Sequence, residues 1–283
     1  MAVFFNQATL TYNGGVANSN IVSGEIVEVV TASKTATPSI YRTFETVTYV
    51  VTLLNSGSAA VNGLSLSDNL GAYTSGELTL VPLDYVSDSV RYFTNGVLQP
   101  TPTVSSVSPL VVSGINIPAG GNATIVYRAT VNGFAPLVAD SEITNTLTVT
   151  GGGIINPVTA SETINSNDSA ELTITKAVSP STVTENGQLT YTFVIENSGN
   201  TEAVATDNLV VSDTFNPILG NITVVYDGAV WELGTNYTYD ETTGAFATVA
   251  GQITVPAATY STDPSGAVTV TPGSVTLTVS GTV

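Results

Sequence analysis

The chain has 283 residues, no Cys and no His, and five Lys and Arg residues against 22 Asp and Glu, giving a formal net charge of −17. The missing thiols and imidazoles exclude their catalysis and the usual zinc and haem ligands, and the charge argues against nucleic acid or an anionic membrane as partner. Charged residues are only 10% of the chain, too few for a charge-rich disordered protein, and the abundant Thr, Val, Ser, Gly, Asn and Tyr suit strands joined by tight turns.

No stretch approaches the ~18 apolar residues of a membrane span. The start "MAVFFNQATL" has no basic n-region, and "AVFF" is too short for a signal-peptide core. The expectation is a leader removed and replaced by Met, or release without one, as when a mother cell lyses around a spore. Helical periodicity is nearly absent and period-two alternation is pervasive. The first predicted strand spans residues 3–13, with Val3, Phe4, Phe5, Asn6, Ala8, Leu10 and Tyr12, and ends at Gly14–Gly15. A polar stretch leads to "SKTATPS" (33–39), then the strand "TVTYVVTLLN" (46–55) runs into "NSG". "LSLSDNL" (64–70), "VRYFTNGV" (90–97), "PAGGNATIVYRATV" (118–131) and "ITNTLTVTGGG" (143–153) follow. Many short strands between turn residues predict β-sandwich domains.

The series then repeats. "TKAVSPS" (175–181) matches 33–39, and fifteen residues beyond each Lys stands a Tyr, Tyr49 or Tyr191. "NSG" recurs at Asn197, "LVVSDTF" (209–215) answers 64–70, "VVYDGAVW" (224–231) loosely answers 90–97, and "PGSVTLTVSGTV" (272–283) answers 118–131. The fold class is therefore all-β: two tandem Ig-like, Greek-key β-sandwiches. The expected division is a donor strand and linker over 1–20, a first sandwich over 21–155 and a second over 156–283.

The second copy has no counterpart of "NTLTVTG" (145–151), and an unfinished sandwich exposes a strand edge and an open core. The opening strand has the matching pattern, since Asn6, Ala8, Leu10 and Tyr12 alternate as Asn145, Leu147 and Val149 do. The expectation is that one copy's opening strand fills the next copy's second sandwich, with Val275, Leu277 and Val279 as the acceptor edge. Such a head-to-tail contact builds an open filament. The partner is then a homopolymer of the same chain, with no nucleic acid and no membrane insertion.

Together the motifs K-x-x-x-P-S, TYxxxxxNSG, SD-[NT]-[LF], PAGG and NTLTVTG resemble the bacterial conserved repeat domain, domain of unknown function 11. The resemblance covers about residues 30–150 and 172–283. It implies a structural or adhesive role on a bacterial cell surface, and no enzyme activity. The chain departs from the family pattern where the second copy lacks its "NTLTV" strand.

Lys34 and Lys176 are the chain's two Lys residues and share one repeat position. With Asn145 and Asp68 in the first copy, and Asn6 and Asp213 for the second, they supply the parts of a spontaneous Lys–Asn isopeptide bond. A buried Lys loses its charge and becomes a nucleophile, while a protonated Asp polarises the carboxamide. The same residues have a plainer account: Asp after Ser is a common turn residue, and a Lys deters edge-to-edge pairing. "YDETTG" (239–244) and "STDPSG" (261–266) lack the spaced oxygen ligands of a Ca²⁺ loop and read as acidic turns, so no metal or cofactor is expected. Asn122, Asn221 and Asn236 head sequons without consequence in a bacterial protein, and Trp231 and the Tyr residues read as packing. The functional expectation is a structural, non-enzymatic subunit of an extracellular bacterial fibre, pilus-like or a spore appendage. The alternative is an adhesin stalk or a carbohydrate-binding surface module.

Overall fold

In a computed structural model, which describes residues 2–283, the alternating runs become strands whose inward residues are the apolar ones. Thr46–Asn55 and Asn122–Val131 pair antiparallel along their length, and Val47, Tyr49, Val51, Leu53, Ile125 and Tyr127 on their inner face are wholly buried. Their counterparts, Gln188–Asn197 and Gly273–Thr282, pair in the same way.

The chain divides into two units. The first comprises residues up to Ala135 with Glu142–Asn165, and the second Pro136–Ser141 with Ser166–Val283. In the first, one sheet has the order Val97–Leu98, Arg91–Thr94, Asn122–Val131, Thr46–Asn55, Val30–Thr37. The other has the order Thr103–Val107, Leu110–Ile117, Val61–Asp68, Glu142–Gly151, Val158–Ser166, Ile40–Tyr41. In the second unit the matching first sheet is Leu172–Ser179, Gln188–Asn197, Gly273–Thr282, Gly220–Tyr226, Ala229–Trp231. Its facing sheet has only three strands, Ser212–Thr214, Ala245–Thr248 and Tyr237–Tyr239, packed around Phe193, Phe215, Phe246 and Leu277.

The repeated "NSG" is more than a turn. The Asn55 side chain donates to the carbonyls of Ala59 (2.8 Å) and Pro118 (3.0 Å) and accepts from Gly57 N–H. Asn197 repeats this with Thr201 (2.8 Å), Pro256 (3.1 Å) and Gly199 N–H. Both side chains are buried, and each ties the backbone groups of two loops together. Gly199 has no room for a side chain, since a Cβ there would lie 2.0 Å from the carbonyl oxygen of Ser169.

Three expectations change. The stretch after residue 155 does not open the second sandwich: Val158–Ser166 pairs with Glu142–Gly151, so the unit boundary falls after Asn165. The opening segment is not a lone strand, because Ala2–Asn6 pairs with Val22–Ile26 and Thr9–Tyr12 with Gly15–Asn18, forming a hairpin. The proposed acceptor residues Val275, Leu277 and Val279 offer no edge, since Gly273–Thr282 is paired on both sides and their side chains are buried.

The open edge lies in the other sheet. In the first unit Val61–Asp68 pairs with Leu110–Ile117 on one side and Glu142–Gly151 on the other. Its counterpart pairs with Ala245–Thr248 alone among the described residues. An edge without a partner opens locally more readily than a paired strand. Amides of residues 209–213 should therefore exchange with solvent on the order of tenfold or more faster than those of residues 64–68 in the free subunit, as hydrogen-exchange mass spectrometry would measure.

Candidate functional site

The edge strand Val30–Thr37 alternates Val30, Ala32, Lys34 and Ala36 on its inner face, which places a Lys where a core residue belongs. Lys34 is 5% exposed and Asp68 and Asn145 are fully buried. Burying charges this way is costly unless each is paired and hydrogen-bonded, and here each is. Lys34 Nζ donates to Asp68 Oδ2 at 2.7 Å and to the backbone carbonyl of Asn145 at 3.0 Å. Asp68 Oδ1 accepts from Leu70 N–H at 3.0 Å. Tyr127 donates its hydroxyl proton to Asp68 Oδ2 at 2.6 Å and accepts from Asn145 Nδ2 at 3.1 Å.

Two aromatic rings close the pocket. Tyr49 and Tyr127 stack at 5.3 Å between centroids, and the Lys34 ammonium lies 4.8 Å from the Tyr49 centroid. Burial lowers the Lys34 pKa from 10.5 to about 8, outweighing the opposing pull of Asp68 and of Glu162, which sits across from Asn145 on the neighbouring strand. Burial likewise pushes the phenols of Tyr49 and Tyr127 upward, with the Asp68 charge adding to both. The Asn145 amide opposes the rise at Tyr49, although the Tyr49 hydroxyl and Asn145 Oδ1 make no hydrogen bond of good geometry.

The structure places Lys34, Asp68 and Asn145 in one pocket, with the ammonium donating to Asp68 and to the Asn145 backbone carbonyl. It adds Tyr49, Tyr127 and Glu162, which sequence reasoning missed. Tyr49 was visible as a repeated Tyr, but Tyr127 has no partner in the second copy and left no repeat signal.

At the second site Lys176 pairs with Asp213 and lies 4.5 Å from the Tyr191 ring centroid and 5.5 Å from those of Phe193 and Phe215. Here the ammonium side chain is 40% exposed. The whole strand Leu172–Ser179 is exposed, whereas Val30 and Lys34 in its counterpart are buried. A groove runs between this strand and the unpaired edge, lined by Ile174, Lys176, Phe193, Val210, Val211 and Asp213. Register identifies the vacancy: in the first unit Leu147 lies opposite Asp68 and Val149 opposite Leu66. No residue of the second unit stands where Asn145 stands. Asn6 lies in the N-terminal hairpin opposite Val22, exposed, so the structure of one chain does not join it to Lys176 and Asp213.

The aromatic partner also differs. Tyr127 gives way in register to Val279, and Phe215, at the position of Leu70, stacks on Tyr191 at 4.9 Å. Exchanging a Leu–Tyr pair for a Phe–Val pair keeps the pocket filled but removes a hydroxyl. Among the described residues no group of three His, Cys, Asp or Glu side chains is placed to hold a metal. No helix there is long and apolar enough to cross a membrane.

No protein-family model and no curated protein matches the sequence. Solved structures with similar strand architecture include BcpA, the major pilin subunit of Bacillus cereus, at 12% identity and a TM-score of 0.37, covering 96% of this chain and 73% of that one. The pilus backbone RrgB of Streptococcus pneumoniae matches at 13% identity and 0.34, covering 86% and 54%. A collagen-binding domain from a Staphylococcus aureus adhesin matches at 12% and 0.30, covering 50% and 100%.

The two ion pairs should differ in their value to stability. Asp68→Ala leaves a buried ammonium and an unpaired phenol, and should cost about 3–5 kcal/mol of unfolding free energy. Asp213→Ala breaks a partly solvated pair and should cost about 0–1 kcal/mol. Denaturant unfolding of the two variants would measure the contrast.

Proposed function

We propose that the chain is a structural subunit of an extracellular bacterial fibre, in which the N-terminal strand of one copy completes the second sandwich of the next. The observation that carries this reading is a pair of complementary defects. The second unit has a groove with one unpaired backbone edge and the exposed apolar residues Leu172, Ile174 and Val178 along the other. The N-terminal strand carries Phe4, Leu10 and Tyr12, each about half exposed or more, with no core to enter. Burying such a side chain stabilises by roughly 1.5–3 kcal/mol, so strand addition supplies both backbone pairing and apolar burial.

With Asn6 at the position of Asn145, residues Phe4, Ala8 and Leu10 take the places of Ile143, Leu147 and Val149. Aligning Gly14–Gly15 with Gly151–Gly152 would instead put Ala8 beside Lys176 and leave no amide there. The first register is the one that offers chemistry.

Within the first unit, the proton of the Lys34 ammonium passes to Asp68, and neutral Nζ attacks Cγ of Asn145. Asp68 protonates the developing oxyanion as the Nζ–Cγ bond forms and takes that proton back as the carbonyl is restored; the Cγ–Nδ2 bond then breaks, and Nδ2 leaves as ammonia with the second proton given up by Nζ. Tyr127, lying between Asp68 and Nδ2, can pass a proton to the departing nitrogen when its hydrogen bonds reverse. Lys176 and Asn6 of the next copy would react likewise, with Asp213 delivering the proton directly.

Two experiments test this reading. The full chain should form filaments visible by electron microscopy, and a chain lacking residues 1–13 should stay monomeric. Filaments from the truncated chain would refute strand donation. Boiling in detergent should leave a covalent ladder that disappears with Asn6→Ala.

The first-unit bond should make the subunit lighter by one ammonia, and this loss should be absent in Lys34→Ala. Its formation needs one proton shared by Lys34 and Asp68. Lys34 gives up its proton near pH 8, so the rate should be level below about that pH and fall above it, where the acid is lost. A mass time course after refolding at several pH values would show this, and a rate that climbs steadily through pH 8–10 would exclude it.

A further inference from the structure

We infer that the donated element is the whole hairpin of residues 2–26 rather than its first strand, so that the acceptor's second sheet gains two strands at once. This rests on strand donation as proposed above and specifies what enters the groove. In an antiparallel pair, directly opposite residues share a face. Phe4 lies opposite Gly24, Asn6 opposite Val22 and Leu10 opposite Ala17. One face of the ribbon therefore carries Phe4, Leu10, Tyr12, Val22 and Ile26, and all five are more than 40% exposed. The Phe4 ring packs over Gly24, where a Cβ would come within 2.5 Å of it. The opposite face pairs Val3 with Glu25, Phe5 with Ser23, Thr9 with Asn18 and Thr11 with Val16, so that each of its three apolar side chains stands against a polar one. A two-stranded ribbon with one unpartnered apolar face is marginal alone. Single-strand insertion would also leave Val22 and Ile26 uncovered.

The first unit already contains the finished arrangement. Glu142–Gly151 pairs with Val61–Asp68 on one edge and Val158–Ser166 on the other. There Ile143 faces Ile164, Leu147 faces Ala160 and Val149 faces Val158, and Ile164 is fully buried. The N-terminal hairpin presents the same topology, with its first strand's outer edge free to pair with residues 209–213. It has no need to open.

The connection that follows points the same way. Three residues, 27–29, join Ile26 to Val30, and five, 167–171, join Ser166 to Leu172. In both cases the last linker carbonyl accepts from the Ser of "NSG": Val29 from Ser56 N–H at 2.8 Å and Glu171 from Ser198 N–H at 2.9 Å. Asn156 holds Glu28 by a further hydrogen bond of 2.6 Å. Donating the hairpin leaves three residues before the Lys strand, tied to the "NSG" turn by the same hydrogen bond that Glu171 accepts. Donating the first strand alone would leave residues 13–29 as a loose tether.

The chain has no Cys, so a disulfide can lock the hairpin shut. Phe5→Cys with Ser23→Cys sits at a directly opposite pair, within the ~4.4–6.8 Å Cα reach of a disulfide. Thr9→Cys with Asn18→Cys repeats the lock elsewhere. The oxidised full-length proteins should form filaments as fast as their reduced forms. Filaments that appear only after reduction would overturn the inference while leaving strand donation standing.

A second arm uses Val22→Asp, exposed in the free subunit, with Val16→Asp on the opposite face and Leu10→Asp in the first strand. Val22→Asp and Leu10→Asp should abolish assembly without moving the monomer's melting transition, and Val16→Asp should assemble. Normal assembly of Val22→Asp would overturn the hairpin, whereas normal assembly of Leu10→Asp would remove strand donation itself.

Discussion

A β-strand has two backbone edges, and every amide and carbonyl along them must be paired, hydrated or covered. The first unit meets this condition by placing Glu142–Gly151 between two neighbours. That one strand also dries the pocket beneath it. Lys34 sits within an alternating apolar pattern and is tolerable there because Asp68 pairs with it and the strand above contributes the Asn145 carbonyl. Removing the strand exposes the backbone edge, the inner face of the Lys strand and the Lys–Asp pair together. Among the described residues the second unit shows all three exposures: the unpaired 209–213 edge, a Leu172–Ser179 strand with no buried residue and a partly solvated Lys176.

The inner face of Leu172–Ser179 argues that its exposure is not a tolerated flaw. Val30, Ala32 and Ala36 of the first unit correspond to Leu172, Ile174 and Val178, so the uncovered face carries the larger side chains. Solvent-facing strands are usually kept polar or charged along their edges. Larger apolar groups on an open groove are expected where something docks.

Much of this was legible in the sequence because the repeat compared two states of one design. Period-two alternation placed the long strands at Thr46–Asn55, Asn122–Val131 and Glu142–Gly151 close to their observed bounds. The paired Lys and "SD" positions led directly to the Lys34–Asp68–Asn145 cluster. Val158–Ser166 and Val22–Ile26 were not singled out as strands because their alternation is carried largely by Ala, Ser, Thr and Gly, which resemble a loop in composition. The acceptor edge was misplaced for a topological reason. Chain order does not equal sheet order, and the strand preceding the missing one in sequence lies in the opposite sheet, whereas its hydrogen-bonded neighbour is some 70 residues earlier. Tyr127 escaped notice because the second copy splits its volume between Phe215 and Val279, so that no single position repeats.

The contrast between the two Lys sites orders events in the proposed fibre. Desolvation disfavours an ammonium and is what makes a Lys nucleophilic. In the first unit the chain's own strand supplies that burial, so any bond there needs folding alone. In the second unit the pair stays wet until a partner arrives, and the docking strand would bring both the dryness and the amide. Covalent closure would then follow only where a hairpin has seated in register, since a slip of one residue turns its apolar face outward. A groove that withholds reactivity until it is correctly filled would add subunits reversibly first and lock them afterwards. That sequence allows a misplaced subunit to leave before it is fixed.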